Sequence, residues 1–258
     1  EEYVYEEMEN GLLQKKVVRK RPGTVGICAA IQNRYDVDAI PHILCGGFTQ
    51  EDTENFLIDL GFLGIDNVMA LRGDAVKSKD GHSYASDLVT QITSLNNGNY
   101  LDSHLLNSTP TDFCIGIAGY PEKHLEAPNF ESDLHFLKKK IEYGATYVVT
   151  QMFFDNKKYF KFVDKCRAAG ITVPIIPGLK PLSTKKQLNI IPQRFNTELP
   201  EDLIKEVLKC KNNDEVKQVG VEWCIMQSKE LFKEKIPFLH YYSMGKSKNI
   251  EAVARELF

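Results

Sequence analysis

The sequence has 258 residues, 43% of them hydrophobic and 26% charged, with a formal net charge of −3, the balance of a globular chain able to bury a sizeable core. A slightly acidic protein offers no general field for nucleic acid, and neither an apolar run of about 18 residues nor a secretory leader pattern is present. A cytoplasmic location without membrane or nucleic-acid partners is the expectation.

The chain opens on a charged stretch, Glu1 to Gln14, that reads as helix, and the basic run from Lys15 to Arg21 reads as a solvated helix end. A second helix is expected after Pro22, whose fixed φ suits a first helical turn. No strand is expected before Ala39 to Cys45. From there apolar, β-branched runs alternate with amphipathic stretches, as parallel strands joined by helices do.

Thr49 should cap the helix after the first strand, and Asn67 to Asp74 should be the next strand, followed by a helix from Ser86 to about Leu95. The polar stretch from Asn96 to Pro110 reads as a surface loop. Phe113 to Tyr120, Tyr147 to Phe154, Val173 to Gly178 and Phe238 to Ser243 read as further strands. Their helices are expected at Asp133 to Tyr143, Lys157 to Ala169, Thr184 to Phe195 with Pro200 to Lys235, and Lys248 to Leu257. Gly144 and Gly170 should terminate two of them.

Roughly six β/α units are visible, whereas a closed (β/α)8 TIM barrel needs eight of about 30 residues each. The reading is therefore an α/β chain, a barrel with its first two strands missing from the front, in one catalytic domain over residues 1–258 with no regulatory domain. A doubly wound open sheet is the structural rival, but the glycine-rich phosphate turn it calls for is absent.

In β/α barrels the catalytic groups come from the C-terminal ends of the strands. Polar residues closing apolar runs here are His42, Arg72 with Asp74, Tyr120, Gln151 and His240. His42 could equally be a hydrogen-bonded core histidine, and Arg72 with Asp74 a plain ion pair. Gln151 is harder to dismiss, because an amide buried without partners costs about 1–3 kcal/mol. No clustered His/Asp/Glu set suggests a metal hydrolase, and no GxSxG or activated cysteine suggests covalent catalysis. The six cysteines are scattered without a CxxC pair and read as free, mostly buried thiols.

Pro41-His42-Ile43-Leu44-Cys45, Ala70-Leu71-Arg72-Gly73-Asp74, Tyr84-Ala85-Ser86-Asp87-Leu88, Gly119-Tyr120-Pro121-Glu122-Lys123-His124, Lys138-Lys139-Lys140-Ile141, Thr150-Gln151-Met152-Phe153-Phe154-Asp155 and Ile175-Ile176-Pro177-Gly178 follow one another in order across the chain. In that order and spacing they resemble the methylenetetrahydrofolate reductase family, in its bacterial single-domain form. The resemblance implies a flavin-containing (β/α)8 barrel that reduces 5,10-methylenetetrahydrofolate to 5-methyltetrahydrofolate with a nicotinamide nucleotide, NADH by analogy with bacterial relatives. The product would feed methionine synthesis, turnover would be ping-pong, and a homo-oligomer is expected.

Residue by residue, the resemblance implies that His42, Arg72, Gly73, Asp74, Tyr84 and Ala85 contact FAD, and that Tyr120, His124, Ala127, Asp133, Lys139 and Lys140 hold its ribityl chain, diphosphate and adenosine. Asp74 would face both flavin and pterin, lowering the flavin potential and orienting the substrate. Asp74 and Gln151 are thus the implied catalytic pair, with Gln151 meeting nicotinamide or folate in a shared site. Gln187 would be a further folate contact, and Lys246 would meet the glutamate tail, where the family usually places an arginine. Phe136 replaces a polar cofactor contact common in the family.

The family's acid, a glutamate in a Phe-Glu-Phe-Phe-Pro-like motif on the first strand, has no counterpart here and is expected upstream of Glu1. Two alternatives stay open: a pterin- or folate-binding barrel methyltransferase without flavin, and a non-catalytic flavin or folate binding module.

Overall fold

The alternation of β-branched runs and amphipathic stretches becomes, in a computed structural model, a succession of short parallel strands and covering helices. The structure describes residues 2–7, 13–18, 22–73 and 80–258.

The start of the chain departs from the sequence reading. Glu2–Glu7 (β1) and Leu13–Val18 (β2) pair antiparallel as a separate sheet, with Tyr3 opposite Val17 and Tyr5 opposite Lys15. Over Glu2–Glu7 and Leu13–Val18 the expected helix and helix end are corrected to strand, and the rest of those expectations lies outside the described residues. Aromatic and β-branched residues at Tyr3-Val4-Tyr5 and Val17-Val18 favour a pleated backbone, and this outweighs the helical preference of the glutamates. Asn10-Gly11 between them in sequence is a strong hairpin dipeptide that the reading passed over.

The chain divides into two compact units, residues 1–115 and 116–258. In the first, Thr24–Tyr35 (α1) follows Pro22 as expected and stops at Asp36, which turns left-handed at φ 51°. His42–Leu44 (β3) runs parallel to Asn67–Leu71 (β4), with His42 opposite Met69 and Leu44 opposite Leu71. Only Ile43 of β3 is buried, so His42 and Leu44 share its exposed face. Gln50–Phe62 (α2) starts at a capping box: the Asp52 N–H donates to Thr49 Oγ1, and the Thr49 N–H donates to the Asp52 carboxylate, both at 3.0 Å. Ala85–Asn96 (α3) buries Leu88, Val89, Ile92 and Leu95.

The polar stretch after α3 is a surface loop, with residues 101–110 all exposed. It is tied down at Asn96, whose Oδ1 accepts from the Phe113 N–H at 2.8 Å and from Thr111 Oγ1 at 2.7 Å. A second tie runs from the Leu101 N–H to the Glu54 carboxylate at 2.8 Å. Cys114–Gly119 (β5) begins in this unit, where the Cys114 N–H donates to Asp66 O at 2.7 Å.

In the second unit the rest of β5 pairs parallel with Tyr147–Thr150 (β6), and β6 pairs parallel with Ile175–Ile176 (β7). All four residues of β6 are buried, as in a parallel strand covered on both faces. Gly116 makes this possible: a Cβ there would lie 2.2 Å from the Tyr147 ring. The single strand expected from Val173 to Gly178 is two, β7 and Gly178–Leu179 (β8), the latter paired parallel with His240–Tyr241 (β9). Pro177 breaks the run because it has no N–H to give, while its carbonyl accepts from the His240 N–H at 3.0 Å.

Phe130–Glu142 (α4) and Asn156–Ala168 (α5) follow β5 and β6, and Gly144 and Gly170 end them at positive φ as expected. Gln187–Phe195 (α6) is followed by two helices where one stretch was expected, Glu201–Lys209 (α7) and Asn213–Lys233 (α8). Asn212 starts α8 by accepting from the Asp214 and Glu215 N–H groups. Ser247–Leu257 (α9) closes the chain's described elements. Cys28, Cys45, Cys166, Cys210 and Cys224 are buried free thiols, matching expectation. No helix among the described residues is long and apolar enough to cross a membrane.

Candidate functional site

The polar residues expected to carry chemistry stand at strand ends in both units. In the first, His42 opens β3 on its exposed face, and crowding by its neighbours lowers its pKa from the ordinary imidazole value. Arg72 follows β4 directly and is half-buried, close enough to Cys45 to favour its thiolate. Burial wins there, pushing the Cys45 thiol up to about 11. Gly73 turns the chain at φ 75°, beside the Leu44 side chain. Asp74 lies outside the described residues. Tyr84 is exposed, and its N–H donates to the Asp87 carboxylate at 3.0 Å as α3 begins, with Ala85 the first residue of the helix.

In the second unit the loop after β5 and the start of α4 form one cluster. The Tyr120 and His124 rings meet edge to face at 4.6 Å. The His124 N–H donates to Asp133 Oδ2 at 2.9 Å, and the Ala127 N–H donates to His124 O at 3.1 Å. Burial raises Asp133 above the usual carboxylate range, against the pull of His124 and Lys140.

Lys140 is half-buried as a residue, but its ammonium turns inward and donates to Ala118 O at 3.1 Å. Burial pulls it down to about 8, with Asp133 opposing. Lys139, the next residue back, sits over the Tyr143 ring at 5.4 Å. The expected pair of diphosphate lysines is thus split, one ammonium on Ala118 O and the other over the Tyr143 ring.

Gln151 closes β6 in a fixed position. Its N–H donates to Gly119 O at 2.8 Å, and its own Oε1 accepts from the Met152 N–H at 3.0 Å. The Nε2 group has no partner among the described residues, so the amide keeps two N–H donors for a ligand. Gln187 follows the same pattern. Its Oε1 accepts from the Ser183 and Thr184 N–H groups at 2.7 and 3.0 Å, leaving Nε2 to offer. Lys246 is exposed at the start of α9.

Two residues of this region escaped the sequence reading. Tyr242 donates its hydroxyl to Thr150 O at 2.8 Å, immediately before Gln151, and burial raises its pKa. Lys180 follows β8, half-buried, and desolvation lowers its pKa. A tyrosine and a lysine closing short strands were the available signal, but runs of two residues give little periodicity to read.

These groups fit a flavin dinucleotide in part. Amide donors at Gln151 and Gln187 that are unpaired among the described residues suit the acceptor edges of a planar heterocycle, and the Tyr120–His124 ring pair beside Asp133 suits a ring-bearing ligand.

In the second unit Gln151 follows the C-terminal end of β6, where folds of parallel strands and helices place their small-molecule sites. The sequence comparisons name the family. The methylenetetrahydrofolate reductase family model matches residues 15–257, and the chain belongs to that family. It is 33% identical over 241 residues to methylenetetrahydrofolate reductase 1 of Schizosaccharomyces pombe, covering 91% of this chain and 38% of that protein. It is 32% identical over 240 residues to the 5,10-methylenetetrahydrofolate reductase of Escherichia coli, covering 92% of this chain and 76% of that one. The chain therefore spans well under half of its longer eukaryotic relatives. Among solved structures, an uncharacterised Clostridium thermocellum protein described as binding two copies of 5-methyltetrahydrofolic acid superposes with a TM-score of 0.54 at 17% identity, covering 88% of this chain and 75% of that one. That likeness concerns the fold.

Proposed function

We propose that this chain is the catalytic (β/α)8 barrel domain, over residues 1–258, of an oxidoreductase that reduces 5,10-methylenetetrahydrofolate to 5-methyltetrahydrofolate with NADH or NADPH, using FAD. Family membership supports the reaction, and the observation that carries it to this site is Gln151, an amide whose oxygen is occupied and whose Nε2 donors have no partner among the described residues at a strand end. The chemistry FAD supplies when bound is hydride relay from the nicotinamide nucleotide to the folate, with the two substrates taking one site in turn.

The chain's own residues bind and orient. The Gln151 and Gln187 amides donate to acceptor groups of the substrates, and each is held by its own Oε1, so its direction is set before binding. Asp74 serves as the carboxylate beside flavin and pterin, with His42, Arg72, Gly73, Tyr84 and Ala85 on the cofactor. Tyr120, His124, Ala127, Asp133, Lys139 and Lys140 hold the remainder of the dinucleotide, and Lys246 meets the folate's carboxylates as a point charge. The reaction belongs to cytoplasmic one-carbon metabolism leading to methionine, in a homo-oligomer.

Anaerobic stopped-flow on the flavin-loaded protein tests the reading. Absorbance near the flavin bands should bleach with NADH or NADPH and return with methylenetetrahydrofolate. Failure to retain flavin would favour a flavin-free methyltransferase, and bleaching without return would leave a binding module.

A further inference from the structure

Just past the end of β8, Lys180 lies half-buried, with no hydrogen bond or ion pair to its ammonium among the described residues. Its place follows from the strand register. Gly178 pairs with His240 and Leu179 with Tyr241, and the Tyr242 N–H donates to Leu179 O at 2.9 Å, so Lys180 comes level with Tyr242.

Alternation along the strands sets the face it takes. Tyr241 turns toward α8, its hydroxyl 2.9 Å from Ser228 Oγ, and the fully buried Leu179 shares that side. His240 and Tyr242 turn the other way, their rings edge to face at 4.6 Å. Gly178 belongs to this second face, because a Cβ there would meet the Tyr242 ring at 2.7 Å. Lys180 is the next residue but one, and Pro181 after it keeps its backbone extended. It therefore stays on the face of Tyr242, whose hydroxyl meets Thr150 O immediately before Gln151.

The segment that follows is fixed. Helix α8 crosses the Leu182 backbone at Gly220, where a Cβ would lie 2.1 Å from Leu182 O. The Ser183 and Thr184 N–H groups then hold Gln187 Oε1. Lys180 and Gln187 thus stand at the two ends of one pinned stretch, and with Gln151 they offer donors alone, two amides and an ammonium. The ammonium is the costly member, since burial penalises its charge and lowers its pKa. An anionic oxygen offsets that cost better than a neutral carbonyl does.

A second lysine stands nearby in the topology. Lys246 is exposed after β9, the strand paired with β8. Two ammonium groups beyond neighbouring strands, one half-buried and one exposed, suit a ligand with two carboxylates at different depths. The glutamate of a folate has two, the α-carboxylate nearer the pterin and the γ-carboxylate at the far end. We propose that Lys180 is a further substrate-binding residue, its ammonium taking the α-carboxylate of the folate and leaving the γ-carboxylate to Lys246. The inference rests on the folate reading and adds to it the residue that recognises the inner charge.

Titration calorimetry on the full chain in excess FAD tests it with two probes, folic acid and pteroyl-γ-aminobutyrate, which lacks only the α-carboxylate. Lys180→Met should weaken folic acid about tenfold or more and leave pteroyl-γ-aminobutyrate unchanged, and Lys180→Arg should recover most of the loss. The melting temperature of Lys180→Met should not fall, because the substitution removes a buried charge, and this separates a lost contact from a lost fold. Equal weakening of both probes, or weakening of NAD+ in place of folic acid, would overturn the assignment. Folic acid bound by the parent and equally by Lys180→Met would overturn the assignment alone, whereas a parent that binds neither probe would overturn the folate reading together with it.

Discussion

Where β6 ends, three neighbours hold Thr150 and Gln151: Gly178 donates its N–H to the Thr150 side-chain Oγ1 at 2.9 Å, Tyr242 donates its hydroxyl to Thr150 O at 2.8 Å, and Gly119 O receives the Gln151 N–H at 2.8 Å. Where β4 ends, the chain turns through Gly73 at φ 75° beside an exposed Leu44, and the strand face next to it carries the exposed His42. Both ends carry residues assigned to ligands; at the β6 end the Tyr242 and Thr150 hydroxyls add to the backbone bonds, while at the β4 end the Cys45 N–H donates to Leu71 O at 3.0 Å just before the turn. A substrate amide such as Gln151 gains from being placed in advance, because ordering it at binding would subtract from affinity.

The comparison breaks most sharply at Gly178. A Cβ there would lie 2.2 Å from Thr150 O and 2.7 Å from the Tyr242 ring, a backbone collision that no rotamer relieves. Gly178→Ala should destabilise the protein by about 3 kcal/mol or more, seen as a fall in the denaturation midpoint.

Lys140 comes next. Its folded pKa of about 8 lies below the ordinary 10.5. The unfolded chain therefore holds a proton that the folded chain has released between those values, so stability rises with pH from about 8 to 10.5, and the full cost of burying the charge is present below pH 8. Lys140→Met should stabilise the free protein at pH 7 by about 1–3 kcal/mol and flatten that rise in pH-dependent melting. If Lys140 also meets an anionic cofactor, its pKa must climb on binding. Calorimetry near pH 8.5 in buffers of different ionisation enthalpy should then show proton uptake, and none if Lys140 stays on Ala118.

Tyr242→Phe leaves the shape of the β6 end but removes the donor to Thr150 O, which should cost about 1–2 kcal/mol in chemical denaturation. At the β4 end, Gly73→Ala meets, among the described residues, only ordinary contacts with Leu44, so its expected cost is conformational, about 1 kcal/mol. A larger loss at Gly73 than at Gly178 would reverse the comparison.

Much of this was legible in the sequence because parallel strands buried on both faces write themselves as unbroken apolar runs, and Val148-Val149-Thr150 is the plainest. The Thr49 cap and the glycine stops after α4 and α5 were equally visible, since each needs a particular residue type at a particular place. The β1–β2 pairing was lost because glutamate-rich segments read as helix, although Asn10-Gly11 pointed the other way. At the site, the polar strand ends could be picked out one by one. Their directions could not: nothing in Lys139-Lys140 says that one ammonium turns inward to Ala118, and nothing near Gln151 says that Tyr242, 91 positions later, secures the residue before it.

The most direct test of the site is Gln151→Ala, read for stability and for turnover together. Its N–H to Gly119 is a backbone bond that alanine keeps, so the denaturation midpoint should stay close to that of the parent. In anaerobic stopped-flow, reoxidation of the flavin by methylenetetrahydrofolate should slow about tenfold to a hundredfold, the loss of one or two hydrogen bonds to substrate. Unchanged reoxidation in a stably folded Gln151→Ala protein would contradict the assignment of the β6 end as the substrate site.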